Sequence, residues 1–162
     1  MMFFSILDSP IGQMVIEANE NEICSINFTS NVHLEYPNEL SELAKEQFME
    51  YFAGKRMYFD FPMVQVGTAF QQKVWEELSK INAGTPISYA TLAKRMKNPL
   101  AIRAIASANG RNNLMIAIPC HRVIGSNGDL VGFSAGLWRK KWLIDHEAYM
   151  TKTGQASINY EF

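Results

Sequence analysis

From residue 78 to residue 128 the sequence carries seven basic side chains (Lys80, Lys94, Arg95, Lys97, Arg103, Arg111 and Arg122) and no carboxylate. The 77 residues before this segment hold four basic side chains against twelve acidic ones, and residues 129–162 hold four of each. A net charge of −1 therefore conceals an acidic first half and a basic middle. An acid-free stretch of this length is what a surface meeting a polyanion requires, because any carboxylate there would repel phosphate. A solvated basic face satisfies the same charge count, and charge alone leaves both readings open.

The hydrophobic pattern changes along the chain as well. Phe3–Leu7, Gln13–Ala18 and Ile23–Phe28 read as antiparallel strands, separated by Asp8-Ser9-Pro10-Ile11-Gly12 and Asn19-Glu20-Asn21-Glu22. Leu40, Leu43, Phe48, Tyr51 and Phe52 then recur at helical spacing, with Gly54 placed as a C′ residue. This predicts an α+β domain over residues 1–62. The rest, residues 63–162, reads as a helical domain. Thr68 and Gln71 match a capping box; Phe70, Val74, Leu78 and Ile81 form one apolar stripe that Gly84 should close. Ser88 can cap a short helix to about Met96. Asn98 as N-cap and Pro99 at N1 should open another, ending at Asn109 and Gly110. Two short helices inside the basic segment suggest a helix-turn-helix. On the second, Arg103, Ala104 and Ser107 share a side, while Ile102 and Ile105 point elsewhere. Small residues beside an arginine suit close approach to DNA; an alanine-rich helix with one solvated arginine fits the same pattern.

With 48% hydrophobic residues in 162, the chain can bury a core as one domain or two small ones. No apolar run is long enough to span a bilayer, and the first residues lack the basic n-region of a secretory signal. Cys24 and Cys120 make no disulfide framework and no CxxC pair. These features predict a cytoplasmic protein with reduced thiols.

Leu114-Met115-Ile116-Ala117-Ile118 should be buried and runs directly into Pro119-Cys120-His121-Arg122-Val123. Proline locks φ and lacks an N–H, so the thiol sits at the end of a stiff support. A free thiol has a pKa of about 8.5 and needs a cation or base to become nucleophilic at neutral pH. His121, Arg122 and the basic segment are expected to favour the thiolate. A buried structural cysteine is the common case and is the reading for Cys24.

Pro119-Cys120-His121-Arg122-Val123 resembles the active-site signature of the O6-alkylguanine-DNA alkyltransferases. Gly84-Thr85-Pro86-Ile87-Ser88-Tyr89 is similar to the approach to that family's helix-turn-helix, and residues 98–112 to its recognition helix and following turn. Gly132-Phe133-Ser134-Ala135-Gly136-Leu137, Trp142-Leu143 and His146-Glu147 resemble its active-site loop and last helix, and Asp8–Gly12 its opening residues. The resemblance implies an N-terminal ribonuclease-H-like α/β domain and a C-terminal helical, winged-helix-like DNA-binding domain with the helix-turn-helix. It implies irreversible, stoichiometric DNA repair, in which Cys120 takes an alkyl group from O6 of guanine, with O4 of thymine a further candidate substrate. By the same resemblance Glu147, His121 and a water relay the thiol proton, Tyr89 donates a hydrogen bond to the leaving guanine, and Asn112 braces the turn carrying the cysteine. Val123, Phe133 and Ser134 border the substrate. Arg103 fills the stack when the lesion is flipped out, with Ser88, Ala101, Ala104 and Arg111 also at the DNA. The implied partner is double-stranded DNA containing O6-alkylguanine, met by a monomer with no obligate protein partner, no membrane, no metal and no organic cofactor. His33 and His146 are read as structural. The chain departs from the common family pattern at Phe133 (often tyrosine), Ala135 (often glycine) and Ile102 (often alanine).

Two other classes fit parts of the sequence. A lesion-sensing DNA-binding protein would use the same helix-turn-helix without chemistry at Cys120. A cysteine hydrolase or redox thiol enzyme would use Cys120 but would need neither the acid-free segment nor Arg103.

Overall fold

The computed structural model describes residues 1–31 and 34–152, so His33 lies outside the described residues. The chain divides into two compact units: Met1–Val66 with Asn113–Ala117, and Gly67–Asn112 with the chain from Ile118 onward.

The first unit is built on a three-stranded antiparallel sheet in the order β1 (Phe3–Ser9), β2 (Gly12–Ala18), β3 (Ile23–Phe28). Alternation puts Ser5, Leu7, Met14, Ile16 and Ile26 on one buried face, with Ser5 opposite Ile16, Leu7 opposite Met14, and Ile16 opposite Ile26. The β1–β2 turn closes with Gly12 at φ 116°, a conformation that favours glycine. Helix α1 (Glu39–Phe52) starts at a capping box between Asn38 and Ser41, and Gly54 follows it in the left-handed conformation expected of a C′ residue. The buried side of α1 differs from its apolar spacing. Leu43 is exposed, whereas Ser41 and Gln47 are buried beside Ala44, Phe48 and Tyr51. Partners explain the polar residues: Ser5 donates to Ser41 Oγ at 2.8 Å, and Gln47 exchanges hydrogen bonds with Asp60. Leu114 bridges β3 in parallel, with Ile26 N–H on the Asn113 carbonyl and Met115 N–H on the Ile26 carbonyl. Leu114, Met115 and Ile116 of the apolar run before the cysteine are buried as expected and are part of this unit with half-buried Ala117, while Ile118, also buried, belongs to the second.

In the second unit, α2 (Ala69–Leu78) begins at the predicted capping box, Thr68 with Gln71. Its Trp75 indole donates to the Ala108 carbonyl at 2.9 Å. The helix ends at Leu78, short of the sequence expectation. Ile81 is buried beyond it, and Gly84 (φ 83°) serves a later turn instead of closing the helix. Two short parallel strands, β4 (Ile87–Ser88) and β5 (Val123–Ile124), pair Ile87 with Val123. Ser88 caps α3 (Tyr89–Arg95) by accepting from Thr91 N–H.

Helix α4 (Ile102–Gly110) starts three residues later than Pro99, and Asn98 is not its cap. The Asn98 carbonyl instead accepts from Ala101 N–H, so Pro99 occupies the second position of a tight turn, where its fixed φ is equally at home. Gly110 lies inside the helix, and Arg111 is the C-cap. Ile105 is buried, but Ile102 is 40% exposed. Helix α5 (Leu137–Thr151) buries Lys140, Leu143, Ile144, Glu147 and Ala148, one stripe at helical spacing.

Candidate active site

Cys120 begins a single 3-10 turn, Cys120–Arg122, whose three residues are all buried. Pro119 has φ −80° and ψ 66°, and Cys120 N–H bonds to the Ile118 carbonyl at 2.8 Å, which is an inverse γ-turn centred on the proline. The same carbonyl accepts Asn112 Nδ2 at 2.8 Å. Proline's locked φ and the Asn112 amide therefore fix the backbone that carries the sulfur.

His121, Arg122 and Glu147 form a buried chain. Arg122 grips the Glu147 carboxylate with two bonds, Nε to Oε1 at 2.8 Å and Nη2 to Oε2 at 3.0 Å, and its Nη1 donates to the Ile81 carbonyl at 2.7 Å. His121 Nε2 meets Glu147 Oε2 at 2.8 Å. Burial raises the Glu147 pKa, but the Arg122 guanidinium and the hydrogen bonds from His121 and Arg122 outweigh it and hold the carboxyl well below the usual range. An ionised carboxylate only accepts, so Nε2 carries the hydrogen. Burial, with Arg122 and Lys140 nearby, pushes the His121 pKa down against the pull of Glu147, which keeps the ring neutral. Its other nitrogen, Nδ1, is buried with no hydrogen-bond partner in the protein. The arrangement presents a neutral imidazole with its lone pair free to take a proton.

The expectation that Cys120 sits among cations that favour its thiolate is corrected here. The thiol is 2% exposed and burial pushes its pKa up, opposed by a hydrogen bond from Asn112 and the charge of Lys140. Arg122 is spent on Glu147, and His121 is neutral. The cation that does act on the thiol, Lys140, went unrecognised in the sequence. It is fully buried and donates to the Val131 carbonyl at 2.8 Å; burial lowers its pKa to about 8.

A cavity of about 610 Å³ is lined by Tyr89, Ile102, Arg103, Ala106, Gly110, Val131, Gly132, Phe133 and Ser134. It gathers Tyr89 from α3, Arg103 from α4 and the Phe133-Ser134 loop, and both Phe133 and Ile102, two of the departures noted above, line it. Ala135 does not; its carbonyl accepts from Arg139.

The chain matches the family models for 6-O-methylguanine DNA methyltransferase, in its ribonuclease-like domain over residues 2–64 and its DNA-binding domain over residues 69–149. It belongs to this family. It is 40% identical over 146 residues to the constitutive methylated-DNA–protein-cysteine methyltransferase of Bacillus subtilis, covering 83% of this chain and 87% of that one. It is 38% identical over 153 residues to the Methanosarcina acetivorans methyltransferase of the same name, covering 90% and 98%. The crystal structure of Mycobacterium tuberculosis O6-methylguanine methyltransferase superposes with a TM-score of 0.83 at 33% identity, over 93% of this chain and 94% of that one. The Mycobacterium tuberculosis OGT in complex with DNA gives 0.83 at 34% identity, over 91% and 93%.

Within this methyltransferase fold, the residues singled out from sequence fall into three groups. His121 and Glu147 are in direct contact, and Asn112 hydrogen-bonds the thiol of Cys120. Tyr89, Arg103, Phe133 and Ser134 meet at the cavity. On the surface, Ala104 and Arg111 are exposed and Ala101 is half-buried, while the Ser88 hydroxyl is engaged in capping α3. Val123 is completely buried in β5 and does not line the cavity. His146 stacks on Trp142 with ring centroids 4.6 Å apart. The sequence reading missed Arg122 as the partner of Glu147, Lys140, and Asn109, which bonds both Tyr89 and Cys120. Asn109 had a signal: a polar residue on the buried stripe of α4, at helical spacing from Ile105. Among the described residues there is no group of three or more His, Cys, Asp or Glu side chains that could hold a metal ion, and no helix long and apolar enough to cross a membrane.

Proposed function

We propose that this protein repairs DNA by transferring the methyl group of O6-methylguanine, or a related alkyl group, to the sulfur of Cys120, once per chain. The Sγ–carbon bond forms as the carbon–O6 bond breaks. The thiol proton passes through a water to His121 Nδ1, and the pair of the broken bond leaves on the purine, which is then protonated. The observation that carries this reading is the buried His121–Glu147–Arg122 chain beside Cys120: an ionised glutamate stabilises the imidazolium formed when the histidine takes the proton. Tyr89 and Ser134 contact the flipped base in the cavity, Phe133 borders it, and Arg103 enters the duplex from the exposed side of α4. Ala101, Ala104, Ser88 and Arg111 lie along the DNA, and Val123 supports the site from β5. The protein acts as a cytoplasmic monomer without an obligate protein partner.

The test is intact-protein mass spectrometry after mixing the protein with a duplex carrying one O6-methylguanine. The expected result is a mass gain of one CH2 unit, mapped to the Cys120 peptide and absent in Cys120→Ala, which should still bind DNA. An unchanged mass with a reduced thiol would leave a lesion-binding protein and overturn the transfer reading.

A further inference from the structure

Asn109 is 3% exposed on α4, on the same buried stripe as Ile105 and Ala108. Its Nδ2 lies 3.2 Å from the Cys120 carbonyl oxygen and 3.1 Å from the Tyr89 hydroxyl. A backbone carbonyl can only accept, so the atom facing Cys120 must be the amide nitrogen, and this settles which way the carboxamide points. One hydrogen of that NH2 goes to the carbonyl and the other to Tyr89 Oη. The phenol oxygen is therefore an acceptor on this side, and its own hydrogen is left to point elsewhere.

Elsewhere is the cavity. Tyr89 lines it, and a Cβ placed on Gly132, another lining residue, would sit 3.9 Å from the Tyr89 oxygen. The other end of the Asn109 carboxamide, Oδ1, is buried without a hydrogen-bond partner. An unsatisfied buried acceptor costs about 1–3 kcal/mol, which offsets part of what the two donated bonds contribute to stability.

We propose that Asn109 is a positioning residue for the transfer reaction: by donating to Tyr89 it turns the phenol hydrogen into the cavity, and by donating to Cys120 it holds that donor in register with the nucleophile. The inference rests on the methyl-transfer reading of the site. When the carbon–O6 bond breaks, negative charge spreads over O6 and the ring nitrogens conjugated with it. An O–H aimed at that charge stabilises the transition state more than the ground state. Burial raises the Tyr89 pKa, and the Asn109 hydrogen bond opposes it, polarising the O–H in the direction the reaction needs.

The experiment is a double-mutant cycle on the single-turnover rate constant for methyl transfer from a saturating lesion duplex, using the wild type, Asn109→Leu, Tyr89→Phe and the double variant. Each single variant should be slower by about tenfold or more, and the double variant should be no slower than Tyr89→Phe. Duplex Kd should stay within about twofold. If the two losses multiply, Asn109 acts on something other than the tyrosine hydroxyl, and the inference is wrong. Should Asn109→Leu fail to fold on a thermal melt, Asn109→Asp keeps the shape while removing both donors. A wild-type rate in Asn109→Asp would be equally fatal. A wild type that transfers no methyl group sinks the proposed function itself, which separates the two failures.

Discussion

Glu147 is 1% exposed and accepts from both Arg122 and His121, so it joins the stability of the second unit to its chemistry. Removing its charge would leave the Arg122 guanidinium buried and uncompensated, a loss that typically costs about 3–5 kcal/mol. Glu147→Gln is expected to lower unfolding free energy by an amount of this order in urea titrations, and to slow transfer more than it weakens duplex binding. The pH dependence follows from the directions of the shifts. Glu147 has a folded pKa below its ordinary value of 4.5, so the stability it contributes is complete above pH 4.5 and is lost as pH falls further. His121 also has a folded pKa below its ordinary 6.5, so stability already declines as pH drops through that value. Wild-type stability should thus fall in two stages on acidification, and Glu147→Gln should abolish the second. A single-stage profile in the wild type would contradict the buried-chain geometry. At this scale the sequence exposed Cys120 and His121 through their contiguous motif. Glu147 lies twenty-six residues from His121 and came only through the family resemblance. The direction of the thiol shift was hidden, because adjacency in sequence does not say whether Arg122 faces the sulfur or the glutamate.

The three strands, the capping box at Thr68, the Ser88 cap and the C′ glycine at position 54 depend on local chemistry. Strand alternation and cap residues can be read directly for that reason. The start of α4 could not, since Pro99 suits a helix N1 and a turn alike, and the long-range contacts that choose between them have no local signature. Gly67 shows a similar hidden constraint. A Cβ there would lie 2.5 Å and 2.7 Å from two ring carbons of Trp75, whose indole is fixed by its bond to the Ala108 carbonyl. The ring cannot give way without losing that bond or disturbing the join of α2 to α4. Gly67→Ala should therefore destabilise the protein by about 1–3 kcal/mol, read as a lower melting temperature. Replacing Gly110, where an added Cβ meets nothing within 4 Å, should be far milder. Equal effects at the two glycines would show that Trp75 is free to move.

Over the whole chain, the charge segregation acquires a physical meaning once burial is known. Of the seven cations in the acid-free segment, Arg122 is buried against Glu147, whereas Lys80, Lys94, Arg95, Lys97, Arg103 and Arg111 are exposed. Five of these exposed residues fall within α3, α4 and the turns that follow each helix. A duplex bound there releases counterions, so log Kd should rise linearly with log salt, and loss of one phosphate contact should reduce the slope by about 0.9. Arg103 differs from the other four because it also lines the cavity beside Tyr89, Phe133 and Ser134. A residue that only contacts phosphate would affect affinity and salt slope alone. One that holds the gap left by a flipped nucleotide should govern delivery of the base to the cavity, a step a free base does not need. Arg103→Ala is therefore expected to slow methyl transfer from duplex O6-methylguanine by a factor of ten or more, about 1.4 kcal/mol or above, at saturating DNA. Its reaction with the free base O6-methylguanine should stay near the wild-type rate. Arg111→Ala should weaken duplex binding in low salt while leaving the saturated transfer rate unchanged. Equal loss on duplex and free base in Arg103→Ala would mean that the arginine shapes the cavity itself, and base flipping would then need another residue.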